Sequence, residues 1–402
     1  MNHLLHCIVS IVFLGINIQA EAESTAPASG ASSFYLWQDK IPANPGKLLR
    51  QQPLEQALVL DKAETGIRIL YASEGWNDQT VTVSGDVLIP AGNAPEGGWP
   101  VLAWAHGTVG VADVCAPSHR GRESRDIDYL NQWLAQGYAI VATDYEGLGT
   151  PGTHAYLHCN SEANGIIDAV RAAQQLGLKL SDKWMVVGQS QGGQAALCTG
   201  AFASGRAPEL DFLGTLATAP AVNWKQRFSV GTPDTPSPFV GMTLLLARGF
   251  EVYEPLFKPS ETYTDAVLAM MPYTDTLCVD ELIGMGMKAN LTMGQSLKYV
   301  PFGNAPGAAS GAEKMEVPVE GWSAPVYIAQ GTADQMVRDQ DVYDLSAELC
   351  SKDVSVTLDI YEGARHSGPM TKGFNAFKPW VANRFASKPA ENNCEMINTL
   401  AQ

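Results

Sequence analysis

The chain alternates between short apolar runs and amphipathic stretches over most of its length. Residues 68–72, 81–89 and 101–106 read as strands, bounded by turn formers such as Pro90-Ala91-Gly92-Asn93 and Gly97-Gly98. The 81–89 run alternates imperfectly, which suggests an outer strand. Pro100-Val101-Leu102-Ala103-Trp104-Ala105 is continuously apolar, as expected of a strand covered on both faces. Farther along, helix-like stretches at 128–136, 162–176 and 191–203 interleave with apolar runs at 138–143, 184–187, 212–217, 326–329 and 354–360. Such alternation predicts an α/β protein with a mostly parallel central sheet flanked by helices.

Between 223 and 311 the alternation stops. The segment is punctuated by Pro and Gly, yet it holds apolar pieces at 239–247, 267–271 and 282–287. Six of the twelve methionines lie here: Met242, Met270, Met271, Met285, Met287 and Met293. Unbranched thioether side chains suit an adaptable apolar surface as well as a small core. We read 223–311 as a mainly helical lid or cap inserted into a catalytic domain that spans 23–402.

The first residues differ from the rest. Leu4-Leu5 and 8–18 form an apolar run followed by Ala20-Glu21-Ala22, a small-residue cleavage pattern, although the region ahead of it carries His3 and His6 and no Lys or Arg. A spanning helix needs about 20 apolar residues, so 1–22 reads as a signal peptide and the protein as secreted, or periplasmic in a bacterium. No later stretch is apolar enough to cross a membrane. Six cysteines follow the signal, at 115, 159, 198, 278, 350 and 394. An even number without C-x-x-C pairs favours disulfides over a zinc site.

With a formal net charge of −16 and 17% charged residues in no like-charge block, the chain is globular and repels phosphate backbones. Nucleic acid is excluded as a partner, and a monomer acting on a small-molecule or lipid substrate is expected.

The candidate chemistry centres on Gly188-Gln189-Ser190-Gln191-Gly192, which follows a strand-like run and precedes a helix-like one. In that context G-x-S-x-G reads as a nucleophile elbow, a sharp turn that lifts the Ser190 hydroxyl above the sheet. A serine needs a base. Of seven histidines (3, 6, 106, 119, 154, 158 and 366) only His366 follows Ser190, in a loop after the last expected strand. The acid must lie between them, and Asp334 sits on the turn after the apolar run Val326-Tyr327-Ile328-Ala329. Asp341 and Asp344 fall in an expected helix at 339–349, and Asp359 falls inside a strand. Oxyanion donors are expected from the backbone N–H of Gln191 and, in the loop 105–110, of Thr108, with Gly107 as the alternative. His106 is expected to pack or to fix that loop. Asp144-Tyr145-Glu146-Gly147-Leu148-Gly149 follows a strand and is expected to line the crevice. His154 and His158 have i,i+4 spacing but no companion glutamate or third ligand, so neither a metal nor any cofactor is expected.

Trp104-Ala105-His106-Gly107-Thr108, Cys115-Ala116-Pro117-Ser118, Thr143-Asp144-Tyr145-Glu146-Gly147, the Gly188–Gly193 turn, Gly331-Thr332-Ala333-Asp334 and Ala364-Arg365-His366 together resemble the secretory lipase family, the group typified by fungal lipase A, within the α/β-hydrolase superfamily. That resemblance implies a Ser190–His366–Asp334 triad, a lid inserted before the acid strand, and disulfides 115–278 and 350–394, with 159–198 a third. The leading reading is a lipase or carboxylesterase that hydrolyses carboxylic esters, triacylglycerols among them, through an acyl-enzyme on Ser190, and the Met-rich cap predicts an apolar acyl pocket with transient contact at a lipid interface. Two other readings stand beside it. One is a serine peptidase or amidase on the same fold, which triad geometry serves equally. The other is a non-catalytic binding module, which the survival of all three triad candidates disfavours.

Overall fold

The computed structural model describes residues 32–231 and 239–401; the expected signal peptide, 1–22, lies outside them. Among the described residues nine strands form one sheet: β1 Leu48–Pro53, β2 Ala63–Glu74, β3 Thr80–Pro90, β4 Trp99–Ala105, β5 Ala139–Thr143, β6 Leu180–Gln189, β7 Asp211–Thr218, β8 Val326–Gly331 and β9 Val356–Tyr361. Their order is β1-β2-β3-β5-β4-β6-β7-β8-β9. The first four pair antiparallel and the six from β5 to β9 run parallel. The expected α/β class is therefore what the chain adopts.

Period-two geometry explains the unbroken apolar run in β4. Val101 and Ala103 face one layer, where Ile166, Ile167, Val170 and Ala196 pack. Leu102 and Trp104 face the other, with Leu130, Trp133, Phe374 and Phe377. Helices α1 Ser124–Leu134, α2 Cys159–Ala173 and α3 Gln191–Arg206 follow in the first half of the chain. α2 and α3 cover one face of the sheet, while α1 packs on the other beside the late helix that contains Phe374.

Two sequence expectations need correction. β3 is not an outer strand: nine of its eleven residues are buried, because β1 and β2 lie outside it. Its alternation is broken by polar residues that find partners inside, with Ser84 Oγ donating to Asp144 at 2.7 Å and Asp86 paired to Arg122 at 2.6 Å. β1 escaped notice because an edge strand, here Leu-Leu-Arg-Gln-Gln-Pro, needs little apolar patterning. α1 also begins earlier than the expected 128, its charged first turn held by Arg125 against Glu123 and Asp126.

Between β7 and β8 the chain leaves the sheet for more than a hundred residues. This stretch holds α4 Phe239–Tyr253, α5 Val279–Ala289 and α6 Ala308–Met315 among shorter turns. Phe228, Phe250, Phe257 and Phe302 pack edge-on at its centre, and this core runs on into Leu197, Ala217 and Ile328 beside the sheet. The Cys115–Cys278 disulfide ties the N-terminus of α5 to the loop after β4, and Val279 N–H donates to Val109 O at 2.9 Å alongside it. Cys159–Cys198 joins α2 to α3, and Cys350–Cys394 joins α7 Asp339–Ser351 to the C-terminal helix. α8 Gly368–Phe385 then completes the second layer, and α9 Cys394–Leu400 closes the chain. No helix among the described residues is long and apolar enough to cross a membrane.

Candidate active site

The parallel strands β6, β8 and β9 end on one side of the sheet, and each delivers one residue there. β6 turns directly into α3 at Ser190, whose backbone adopts φ 59° and ψ −119°. Few L-residues occupy that region without strain. The turn closes because its glycines allow backbones to touch. A Cβ on Gly188 would lie 2.0 Å from Gly192 O, and one on Gly192 would lie 1.9 Å from Ala105 O. Ser190 N–H donates to Thr218 O at 3.0 Å, which pins the turn to the end of β7.

The turn after β8 carries Asp334 and the loop after β9 carries His366. The two loops are laced together: Ala333 N–H donates to Ala364 O at 3.0 Å, and Gly363 N–H donates to Thr332 Oγ1 at 2.8 Å. His366 Nδ1 lies 2.8 Å from Asp334 Oδ2, and His366 Nε2 lies 2.8 Å from Ser190 Oγ. An ionised carboxylate only accepts, so Nδ1 carries the ring proton and Nε2 faces the serine hydroxyl as acceptor. Asp334 Oδ1 accepts from Met336 N–H at 2.8 Å and Val337 N–H at 3.0 Å. Burial pushes this carboxyl up, but the hydrogen bond and charge of His366, with those two N–H groups, outweigh it and hold Asp334 below its ordinary value. The imidazole is mostly covered, its side chain 17% exposed, while the carboxylate side chain is fully buried.

Of the competitors, Asp341 points into an ion pair with Arg338 and Asp359 into Tyr327; neither bonds to His366. Gln191 is the first residue of α3, where a helix leaves its N–H groups without intrahelical partners. Thr108 sits on the loop after β4, whose Ala105 pairs with Gly188, and its hydroxyl bonds to Tyr156 at 2.8 Å. His106 is buried against Tyr145, whose hydroxyl donates to His106 O at 3.0 Å, so it fixes the loop.

Every residue of the stretch from Asp144 to Gly149 is buried. Asp144 accepts from Ser118 N–H at 2.8 Å and Ser84 Oγ at 2.7 Å, and Glu146 accepts from Trp76 N–H at 3.0 Å. Burial raises both carboxyls against these bonds. Glu162 was missed altogether. It is fully buried in α2, accepts from the Gln191 side chain at 2.6 Å, and burial pushes it up to about 8. Its one sequence-level signal was a glutamate on the apolar face of an amphipathic helix. His154 Nδ1 bonds to Glu146 O at 2.8 Å, and His158 caps α2 by accepting from Ser161 N–H at 3.3 Å. No cluster of three or more metal-ligating side chains occurs among the described residues.

The sequence model of the secretory lipase family matches residues 124–393. No curated protein sequence matches the chain. Among solved structures, lipase A of Candida antarctica in its closed state superposes with a TM-score of 0.72 at 19% identity, covering 87% of this chain and 85% of that one. The rice-cell-wall-degrading esterase LipA of Xanthomonas oryzae gives 0.66 at 20% identity, over 85% of this chain and 98% of its own. A Legionella pneumophila protein described as a putative hydrolase gives 0.66 at 18% identity, with 83% and 98% covered. At such identities these likenesses establish the shared fold.

Proposed function

The chain belongs to the secretory lipase family and is a carboxylic ester hydrolase, and from that premise we propose that it works as a serine hydrolase through an acyl-enzyme on Ser190. The observation that carries the reading is the continuous relay Ser190 Oγ, His366 Nε2, His366 Nδ1 and Asp334 Oδ2, with both gaps at 2.8 Å. In this mechanism Ser190 Oγ attacks the ester carbonyl while His366 Nε2 takes its proton. The carbonyl oxygen becomes an oxyanion held by the backbone N–H groups of Gln191 and Thr108. Collapse expels the alkoxide, which leaves as an alcohol with the proton returned by His366. Water, deprotonated by the same nitrogen, then attacks the acyl carbonyl and frees the acid and Ser190. Asp334 keeps the proton on Nδ1 and stabilises the imidazolium between these transfers.

The insertion 223–311 serves, in this reading, as a lid over an apolar acyl site. Large exposed apolar side chains support that: among the described residues Val230, Leu256, Tyr273, Met287 and Val300 lie in it and only Met396 lies elsewhere. Such a surface suits transient contact with a lipid interface. Three disulfides fit an exported protein. The test is hydrolysis of a graded acyl series of chromogenic esters, beside peptide amides, by wild type and Ser190→Ala. Full ester activity in the alanine variant overturns the serine mechanism. Activity confined to acetyl esters removes the lipase reading and leaves an esterase.

A further inference from the structure

Behind the nucleophile turn lies a buried polar cluster that the proton transfers do not use. Gln191 is buried, and its side-chain Nε2 lies 2.6 Å from Glu162 Oε1 and 2.8 Å from His154 Nε2. The other nitrogen of His154, Nδ1, is 2.8 Å from the Glu146 carbonyl oxygen, which can only accept. Nδ1 therefore carries the ring proton, and Nε2 accepts from Gln191. Burial drives His154 down to about 3, consistent with a neutral ring. Glu162 Oε1 also accepts from Leu157 N–H at 2.9 Å, while Oε2 has no hydrogen-bond partner. Both protons of the Gln191 amide are thus committed to two desolvated, ionisable groups.

Such groups are costly to bury, and apolar packing would stabilise the layer between α2 and α3 better. What they hold is the side chain of the residue whose peptide N–H follows Ser190. We propose that Glu162 and His154 are positioning residues for the oxyanion hole: by fixing the Gln191 side chain from behind, they fix the direction of its backbone N–H. The proposal rests on the reading of Ser190 and Gln191 given above. Losing one oxyanion donor costs about 10²–10³ in rate, so misdirecting it costs a part of that.

The experiment is steady-state hydrolysis of one chromogenic ester by Glu162→Ala, Glu162→Gln, Gln191→Ala and the double variant Glu162→Ala/Gln191→Ala, with Ser190→Ala as control. Glu162→Ala and Gln191→Ala should each lower kcat about 10- to 100-fold with KM within about twofold. Glu162→Gln presents the same acceptor oxygen and should recover kcat to within about threefold of wild type. The double variant should be no slower than Gln191→Ala, since both changes act through one side chain. If Glu162→Ala does not fold, Gln191→Ala and Glu162→Gln carry the test. A Gln191→Ala enzyme with wild-type kcat overturns the proposal, as does a loss that appears in KM. Activity retained by Ser190→Ala instead sinks the hydrolytic reading on which it rests.

Discussion

Replacing Asp334 by Asn isolates what the carboxylate does. Asp334 Oδ1 accepts two backbone N–H groups, from Met336 at 2.8 Å and Val337 at 3.0 Å. The amide oxygen of Asn must take that place, which turns its NH2 toward His366 Nδ1 and toward Gln330 Nε2, itself 3.3 Å from Oδ2. A donor facing Nδ1 forces the ring proton onto Nε2, and Nε2 sits 2.8 Å from Ser190 Oγ. The base then has no lone pair for the serine proton. In a triad of this geometry the wrong tautomer costs about 10⁴ in kcat, or about 5.4 kcal/mol of transition-state stabilisation. The fold should persist, because the two N–H groups keep their acceptor. The assay is kcat and KM on a chromogenic ester at neutral pH, with a thermal melt alongside. A variant within tenfold of wild type, or one whose loss lies in KM, would refute the assignment of Asp334.

Other outcomes are equally definite. Glu162 is raised from 4.5 to about 8 by burial, so the folded protein holds a proton there that the unfolded chain has released. Its contribution is fully present below about 4.5 and is lost as pH rises through about 8; urea midpoints should fall over that window, and Glu162→Gln should flatten the slope. An unchanged slope contradicts this. Gly192→Ala places a Cβ 1.9 Å from Ala105 O and should cost about 3 kcal/mol or more, read from thermal melts; a wild-type melt would mean the turn can yield. Replacing Cys115 and Cys278 by serine opens a cross-link between residues 163 apart. On chain entropy that loses about 5 kcal/mol in urea denaturation, and stability equal to wild type would show the tether to be idle.

Much of this was legible in the chain. The parallel half of the sheet announced itself because strands covered on both faces are apolar without interruption, as in β4 and β5. The pairing of Ser190 with His366 was legible because G-x-S-x-G sets glycines at fixed offsets around the serine and the chain offers one histidine after it. Other features were hidden for a common physical reason: polar residues satisfied by partners distant in sequence look like solvent-facing ones. Asp86 meets Arg122, Asp144 meets Ser118, and Glu162 meets Gln191. Each breaks an apolar pattern locally and is repaired only in three dimensions. The edge strand β1 was silent for the opposite reason, having too little burial to leave a pattern.

The backbone angles at Ser190 have an evolutionary reading. A non-glycine residue held at φ 59° between two glycines that admit no side chain is strained by about 1–3 kcal/mol. The fold gains nothing from it, since glycine at 190 would relax the turn. In a lineage freed from selection for hydrolysis, substitutions that relieve the strain would be favoured at once and nothing would oppose them. On the proposal that Ser190 is the nucleophile, a serine still standing in that turn, with its histidine and aspartate in register, is what selection for hydrolysis would keep.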